Sequence, residues 1–508
     1  MASKSVLIIG AGMAGLAAGC YAQMNGYQSH IFELHDLPGG LCTSWERKGY
    51  TFDGCLHYLY GSGEGQPFNH VWQELGAVQG RRFIHLDQYQ TLVDDAGRSF
   101  SVYCDPDRLE QHMLELSPAD ADPIHDLADG VRHFLNFDLS VMSEKPRQLM
   151  DGKEGLELGR RMLPFVPSLA RWGMTSAGDF AHRFRDPFLR RAVALMFSWP
   201  QIPMMAGLAQ LAYMANRNAG FPEGGSLEFA RAVERRYLAL GGQLHYKAQV
   251  EKVLVENDRA VGVRLYNDEV YRGDYVISAC DGRGTIFDLL DGQYTDRGLR
   301  GMYDGHLPTY PMMQVSLGVA RDLSALPART TYLLNPPVRI GDAERRDLPV
   351  KHFGFDPTLA PAGKTSVTVL IPSQYEWWQR IYGHHLYKTE QTQVGELVVA
   401  ELEKRLPGLT ADIEEVDVAT PLSYERYTGN WRGSTCGWLL TLDTMRLMLT
   451  GVSQTLPKLD RFYMAGQWVE PGGGVPMAAM SGRKAVQLIC AAEGQPFRTE
   501  AAPEMVLA

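Results

Sequence analysis

The sequence contains no C-x-x-C pair, and its cysteines are few and widely spaced. Seven cysteines stand at positions 20, 42, 55, 104, 280, 436 and 490 of the 508 residues. This odd number, without metal-ligand spacing, predicts neither a disulfide framework nor a cysteine zinc site, and it argues against disulfide reductases with a C-x-x-C centre. We therefore expect a reducing, cytoplasmic setting and no bound metal.

Positive charge is also scarce. The 49 lysines and arginines are outnumbered by 59 aspartates and glutamates, which gives a formal net charge of -10. Without a positive field to attract phosphate backbones, nucleic acid is not an expected partner. With 45% hydrophobic and 21% charged residues, the composition is that of a globular protein, and the length predicts two domains.

One long segment lacks charge of either sign. Residues 192–216 carry no charged side chain, and by length alone they would span a bilayer. Pro200 and Pro203 interrupt this segment, so we expect a tunnel wall or a membrane-dipping element instead. The preceding residues 160–191 hold seven arginines against two aspartates. This pattern predicts peripheral membrane contact through 160–216, with a solvated helical cap as the alternative.

The N-terminal region has the pattern of a dinucleotide-binding βαβ unit. Its apolar run 5–9 is too short for a signal-peptide core, so we expect the mature chain to begin here with a buried strand. Gly10, Gly12 and Gly15 follow as G-x-G-x-x-G: the first permits a tight turn, the second lets a pyrophosphate approach, and the third allows close packing. Glu33, at the end of the next strand, is placed to accept hydrogen bonds from ribose hydroxyls. The alternative is a glycine-rich turn that binds nothing.

A second glycine-rich segment lies near the C-terminus. Residues 462–466 read as a strand that ends in glycine, and PGGGVP at 471–476 leads into a helix of small residues. A helix N-terminus there would present N–H groups and the positive end of its dipole, which stabilise electron density on a reduced ring. The alternative is a tight helix-packing turn.

Together these segments resemble the phytoene desaturase-like flavoproteins, which include carotenoid desaturases, carotenoid isomerases and retinol saturases, within the amine-oxidase-like FAD superfamily. The matching segments keep the family's order along the whole chain. They are GAGMAGLAAG at 10–19, FELHDLPGG at 32–40, GYTFDGCLHYLYG at 49–61, FPEGGSLEFARAVERRYLALGGQL at 221–244, VISACD at 276–281 and FYMAGQWVEPGGGVPMAAMSGR at 462–483.

The resemblance implies an α/β fold with FAD as the cofactor. It implies a discontinuous Rossmann-type FAD-binding domain built from 1–105, 221–305 and 440–508. The second, substrate-binding domain of mixed β-sheet and helices would comprise 106–220 and 306–439, with a helical cap.

The resemblance also assigns residues around FAD. The ADP half is held by Gly10, Gly12, Gly15 and Glu33, with Gly39, Gly40 and Gly466 near the pyrophosphate, Val250 at the adenine, and Val475, Pro476 and Met477 beside the isoalloxazine. Many relatives carry arginine directly after the paired glycines, whereas this chain has Leu41-Cys42. Backbone amides or another side chain must then meet the diphosphate charge.

Two side chains are candidates for catalysis. His57 lies in a loop expected to pass the flavin, and an imidazole exchanges protons near neutral pH. Where desaturases typically read Phe-Asp-x-Gly-Pro, this chain has FDGCLHY at 52–58, and its His-Tyr pair looks more like the retinol saturase branch. Glu470, before the glycine run, would orient a proton or cap the helix. The alternative for His57 is a structural, hydrogen-bonded histidine, and Asp53 is expected to fix the loop.

The expected reaction is hydride transfer between flavin and a carbon of a long, apolar, conjugated substrate. Saturation, isomerisation or reductive cyclisation is favoured over desaturation. Amine or porphyrinogen oxidation, and a non-catalytic prenyl-lipid-binding role, stay open. Because no second G-x-G-x-x-G follows a strand, no dedicated NAD(P)H domain is expected. The external electron donor or acceptor would be oxygen, a quinone, a separate reductase or a transiently bound nicotinamide.

Overall fold

The computed structural model describes residues 3–138 and 145–503. The ends of the predicted FAD-binding segments, at 1–2 and 504–508, lie outside the described residues, as does 139–144 within the predicted cap.

The strands occur in consecutive runs that are separated by helices. They are β1 Ser5–Ile9, β2 Gln28–Phe32, β3 Ser44–Arg47, β4 Tyr50–Asp53, β5 Leu59–Tyr60, β6 Phe83–Ile84, β7 Gln88–Asp94, β8 Ser99–Tyr103, β9 Ala219–Pro222, β10 Gln243–His245, β11 Val250–Glu256, β12 Arg259–Leu265, β13 Val270–Arg272, β14 Tyr275–Ser278, β15 Thr309–Val319, β16 Arg329–Ile340, β17 Ala343–His352, β18 Thr365–Pro372, β19 Ile413–Ala419, β20 Ser434–Trp438 and β21 Phe462–Met464.

Among the described residues, eight α-helices lie between residues 106 and 239, and six lie between 297 and 450. They are α1 Met13–Met24, α2 Asn69–Glu74, α3 Pro106–Leu116, α4 Ala121–Phe134, α5 Gly152–Met162, α6 Val166–Gly173, α7 Ala177–Ala181, α8 Pro187–Leu195, α9 Met204–Ala215, α10 Gly225–Ala239, α11 Arg297–Met302, α12 Tyr375–Gly383, α13 Tyr387–Glu403, α14 Leu409–Asp412, α15 Pro421–Thr428, α16 Leu442–Thr450 and α17 Val475–Ala492.

Five strands form a parallel sheet in the order β10-β2-β1-β14-β21. Its central strand β1 is a continuous apolar run, as expected for a strand that is buried on both faces, and its Leu7 and Ile9 pack in one core cluster with Val263 of β12. Helix α1 lies between this sheet and helix α17. The two helices approach so closely that a Cβ on Gly482 would lie 2.2 Å from the carbonyl oxygen of Ala14. These features confirm the predicted α/β fold with a Rossmann-type unit.

A larger mixed sheet follows the order β19-β15-β18-β17-β16-β7-β8, with β20 paired to β15. Alternate residues of β15, Val315 and Leu317, are buried as their period predicts. The intervening Gln314 and Ser316 are also buried, so both faces of β15 are covered at this point. The cause is the β3–β4 hairpin, whose Tyr50 covers the second face against Gly318.

The sheet pairings bear on where the two domains divide. Strands β7 and β8 fall within the predicted segment 1–105, yet β7 pairs in parallel with β16 of the mixed sheet. We propose that the FAD-binding segment ends before Gln88 and that 88–105 belong with the substrate-binding sheet. The remaining predicted boundaries stay a proposal.

The uncharged segment 192–216 contributes helix α9, which is buried in the core. Leu208, Leu211 and Ala212 have no exposed surface. Among the described residues, no helix is both long and apolar enough to cross a membrane. Helices α5 and α6 and the turn between them differ from α9, because they place several large apolar side chains at the surface: Leu156, Leu163 and Val166.

Candidate functional site

A cavity of about 340 Å³ lies at the carboxyl ends of the parallel strands. In open α/β sheets ligands bind at this edge. The cavity draws its wall from both ends and the middle of the chain. Of the predicted cofactor-binding residues, Gly10, Gly12, Glu33, Gly39, Gly40, Val250, Gly466 and Val475 line it.

The glycine turn after β1 has the geometry that a dinucleotide requires. Gly10 has φ +97° and donates its N–H to Phe32 O at 2.8 Å, which ties the turn to β2. A Cβ on Gly15 would lie 1.9 Å from Gly10 O, so this glycine packs behind the cavity. A Cβ on Gly12 would meet nothing closer than Gly39 O at 4.0 Å and would occupy ligand space. The first N–H groups of α1 have no partner within the helix, so this cradle fits a pyrophosphate.

Glu33 lies in the cavity wall and is 6% exposed. Its Oε2 accepts from Ala11 N at 2.6 Å and its Oε1 from His35 N at 2.9 Å. Burial raises the pKa of this carboxyl, while the hydrogen bonds from His35 and Ala11 counteract the shift. Each oxygen keeps acceptor capacity for a ribose hydroxyl.

The paired glycines after β2 lie against the first glycine turn. Gly39 donates its N–H to Ala11 O at 2.8 Å and adopts φ +102°. A Cβ on Gly40 would lie 3.3 Å from the Cα of Gly12. The two glycine segments thus form one continuous backbone surface on the cavity.

The C-terminal segment closes the cavity from the other side. Gly466 donates its N–H to Ser481 Oγ at 2.7 Å, which fixes the end of β21 to helix α17. Gly474 and Val475, at the N-terminus of α17, line the cavity. Pro476 and Met477 lie in the first turn of the same helix, outside the cavity wall.

The charge of the wall answers the question raised by the missing arginine. Among the described residues that line the cavity there is no lysine or arginine, whereas Glu33, Glu251, Asp281 and Asp288 are present. An anionic diphosphate held here must therefore rely on backbone N–H groups and on the dipole of helix α1. This arrangement agrees with Leu41-Cys42 in place of the arginine.

His57 lies in the loop between β4 and β5, two residues after the cavity-lining Cys55. It does not itself line the 340 Å³ cavity. The ring is half-buried, but its Nδ1 atom is buried and has no hydrogen-bond partner among the described residues. Burial, together with the positive charges of Lys351 and Arg329, holds the pKa of His57 well below its usual value. The imidazole is therefore neutral at neutral pH.

Lys351 is a buried cation that the sequence analysis missed. Its Nζ donates to Leu56 O at 2.9 Å and lies 4.7 Å and 4.4 Å from the ring centres of Phe221 and Phe353. Burial lowers the pKa of Lys351 to about 7. No local signal marks this lysine, because its neighbours come from distant segments.

Asp53 ties the same loop to the helix that follows β9. Its carboxylate accepts from Ser226 N at 2.6 Å and from Ser226 Oγ at 2.8 Å, at the start of α10. Burial raises the pKa of Asp53, and the charge of Lys351 opposes that shift. This geometry agrees with the expected loop-fixing role.

Glu470 is engaged in an ion pair. Its Oε1 lies 2.7 Å from Lys484 Nζ on helix α17, and the two side chains are 15% and 13% exposed. The pair anchors the glycine run to the helix that it precedes. The structure does not bring Glu470 and His57 together by any contact among the described residues.

A second, larger cleft of about 870 Å³ adjoins the first. It shares Glu33, Gly40, Leu41 and Thr428 with the cofactor cavity. Its outer wall comes from α12, α13 and α15. These helices contribute aromatic and basic side chains: Tyr382, Tyr387, Tyr424, Tyr427, Lys388 and Arg426. The sequence analysis did not predict this cleft.

Most of the chain, including the C-terminal glycine-rich segment, matches the model of a known protein family. The family model described as flavin containing amine oxidoreductase matches residues 13–490. The chain belongs to this family. It is a flavin-dependent oxidoreductase, and FAD is its cofactor.

Similar proteins include carotenoid enzymes, which match over most of this chain. Prolycopene isomerase of Daucus carota is 24% identical over 497 residues, covering 94% of this chain and 78% of that protein. Phytoene desaturase (lycopene-forming) of a Paracoccus species is 23% identical over 517 residues, covering 96% and 97%. An oxidoreductase structure from Methanosarcina mazei, 18% identical, covers 95% of this chain and 100% of that one with a TM-score of 0.61. These likenesses confirm the predicted family and fold.

Proposed function

We propose that this flavoenzyme transfers hydride between FAD and a carbon–carbon bond of a long, apolar, conjugated substrate such as a carotenoid or retinoid. The observation that carries this proposal is the similarity to enzymes named for prolycopene and phytoene, which covers 94% and 96% of this chain, combined with a cavity that both glycine-rich segments line. Saturation, isomerisation or reductive cyclisation is favoured over desaturation, because the His57-Tyr58 pair in the loop after β4 looks more like the retinol saturase branch.

The chain's own residues bind and orient the cofactor. Gly10, Gly12, Gly39 and Gly40 offer backbone surface to the diphosphate, and Glu33 accepts from the ribose. Helix α17 directs its positive dipole end at the cavity, through Gly474 and Val475. FAD bound there supplies reversible uptake of a hydride.

His57 is the proposed proton partner. Its neutral imidazole has a buried, unpartnered Nδ1, which can accept a proton or hold one for transfer to a substrate carbon. We expect His57→Gln to lower kcat by about 10²-fold or more, the usual contribution of general acid–base catalysis. The control is His125→Gln, at an exposed histidine on the cap. Unchanged turnover in His57→Gln would remove the assigned role.

Contact with a membrane surface fits an apolar substrate. Helices α5 and α6, with the turn between them and the residue after α6, expose four large apolar side chains: Leu156, Leu163, Val166 and Met174. The same helices carry Arg160, Arg161 and Arg171. An amphipathic surface of this kind lies on anionic lipid. Because α9 is buried, we remove residues 175–216 from the proposed membrane contact. We extend the contact to the start of α5, so that it comprises residues 152–174.

The direction of the reaction is tested with FAD-loaded protein and candidate polyenes without oxygen. If a polyene with few conjugated double bonds bleaches the oxidised flavin, the enzyme is a desaturase. If a more highly conjugated polyene reoxidises the dithionite-reduced protein, the enzyme saturates its substrate. Isomerised product from reduced protein, without reoxidation, indicates isomerisation. Hydrogen peroxide from small amines or porphyrinogens would support oxidation of those substrates instead. A protein that binds polyene or prenyl lipid without flavin would support the non-catalytic alternative, and an external electron donor or acceptor is needed only for net redox reactions.

A further inference from the structure

Cys42 and Cys55 are far from the C-x-x-C spacing, but the β3–β4 hairpin brings them together. The hairpin pairs Ser44 with Asp53 and Arg47 with Tyr50. One step further out, Gly54 N donates to Thr43 O at 3.0 Å. In this register the next residue opposite Cys42 is Cys55.

The position of this pair in the register suits a cross-strand disulfide. Thr43 N donates to Leu41 O and not to Gly54, so the ladder ends at this point, and continuing its register by one residue places Cys42 opposite Cys55. In an antiparallel ladder this is a non-hydrogen-bonded position, where opposite Cα atoms lie about 4.5 Å apart. Disulfides span Cα separations of about 4.4–6.8 Å. The neighbouring Cys55 thiol and burial both raise the pKa of Cys42, which agrees with this placement of the two side chains.

Both cysteines line the cofactor cavity. Cys42 is 2% exposed, and its thiol donates to Ser226 O at 3.4 Å, whereas Cys55 is half-buried. Cys280 also lines the cavity, but its sulfur contacts the hydroxyls of Ser278 and Thr285. Cys42 and Cys55 are thus the cysteine pair at this cavity in the described part of the chain, and both thiols are free.

We propose that Cys42 and Cys55 form a redox-active dithiol that delivers two electrons to the FAD bound in this cavity. Two S–H bonds break and one S–S bond forms between the cysteines. The two electrons and two protons that leave the thiols reduce the oxidised flavin, so the step is balanced. An external dithiol then reopens the disulfide by thiol–disulfide exchange at Cys55, and is itself oxidised to a disulfide.

This site supplies a reductant to a chain that has no second dinucleotide motif. The inference rests on the proposed function, in which reduced flavin is the favoured working form. An isomerisation or cyclisation without net redox change needs one such reduction. A saturation consumes two electrons in each turnover, so it requires continued supply from the external dithiol.

The test uses protein that is reduced with dithiothreitol without oxygen before FAD is bound, freed of reductant by desalting, and then loaded with oxidised FAD, still without oxygen. We expect the flavin absorbance to fall, in step with a loss of two of the seven thiols in each chain. Mass spectrometry of peptides should show a link between Cys42 and Cys55, with one flavin reduced for each disulfide. Added dithiothreitol should restore the thiols while the flavin stays reduced.

Cys42→Ser and Cys55→Ser should each keep their flavin oxidised under the same treatment. The matched control is Cys490→Ser, which removes a buried cysteine outside the cavity wall and should still lose two thiols. If either variant fails to fold, the thiol count and the linked peptide of the unaltered protein still decide the question.

Three results would overturn the inference: an oxidised flavin with all seven thiols intact, equal bleaching in Cys55→Ser, or equal disulfide formation in protein stripped of FAD. The proposed function fails separately, if FAD-loaded protein with intact thiols neither reduces nor isomerises any polyene after dithionite reduction.

Discussion

Gly15 packs against Gly10 so closely that a Cβ on Gly15 would lie 1.9 Å from the carbonyl oxygen of Gly10. The obstructing atom belongs to the backbone of the cofactor turn, and that turn is fixed by the hydrogen bond from Gly10 N to Phe32 O. A larger side chain at position 15 would therefore push helix α1 away from the turn or shift the backbone surface that faces FAD. The third glycine of the motif acts by shaping the cradle from behind.

Gly15→Ala should accordingly weaken both folding and FAD binding. A methyl group at this position forces backbone shifts, which cost about 1–3 kcal/mol in free energy of unfolding. Chemical denaturation and fluorimetric FAD titration provide the measurements. The control is Gly155→Ala on the exposed helix α5, where no atom lies within 4 Å of the new Cβ. That control should be neutral or stabilising, because alanine favours helix more than glycine does.

The buried lysine predicts a pH-dependent stability. Lys351 has a pKa of about 7 in the folded protein and 10.5 as its ordinary value. Between these values the unfolded chain binds the extra proton, so stability should rise with pH across this window and be lower near pH 7. In Lys351→Met the slope should be shallower, by at most about 1.4 kcal/mol for each pH unit.

Denaturation at several pH values within that window measures both slopes. The exposed Lys153→Met serves as the control, and its slope should match that of the unaltered protein. Equal slopes in Lys351→Met and the unaltered protein would show that Lys351 keeps its proton on folding.

The ion pair between Glu470 and Lys484 predicts energetic coupling between these positions. Because both side chains are mostly buried, we expect a double-mutant cycle of Glu470→Gln and Lys484→Met to give a coupling energy of about 1–2 kcal/mol. The exposed pair Glu157–Arg161 should give under about 0.5 kcal/mol. A large loss of kcat in Glu470→Gln at unchanged stability would instead support a catalytic role for this carboxylate.

The exposed apolar side chains of the cap predict membrane partitioning. Leu156→Asp combined with Leu163→Asp should reduce binding to vesicles rich in phosphatidylserine by about tenfold or more, because apolar burial and attraction to anionic lipid drive such binding. Co-sedimentation measures the bound fraction. Leu238→Asp, at an equally apolar exposed position on α10, is the matched control. Equal loss in both variants would contradict a specific membrane face.

Much of the cofactor cradle could be predicted because its signals are local. The run 5–9, the three glycines and Glu33 follow one another within a single βαβ unit, whose geometry is set by short-range sterics and backbone hydrogen bonding. The place of β7 and β8 could not be predicted this way. Their partner strand β16 comes more than two hundred residues later, and strand pairing across such distances leaves no local pattern.

The sequence by itself determined the FAD-binding fold and the family, since glycine spacing and strand-to-helix order are written in consecutive residues. Only the tertiary structure decided that Lys351 lies against the loop of His57, that Glu470 is paired, and that Cys42 meets Cys55 at the cavity. These relationships arise when distant segments pack together and exclude water, because burial and proximity change the chemistry of a side chain while its identity stays the same.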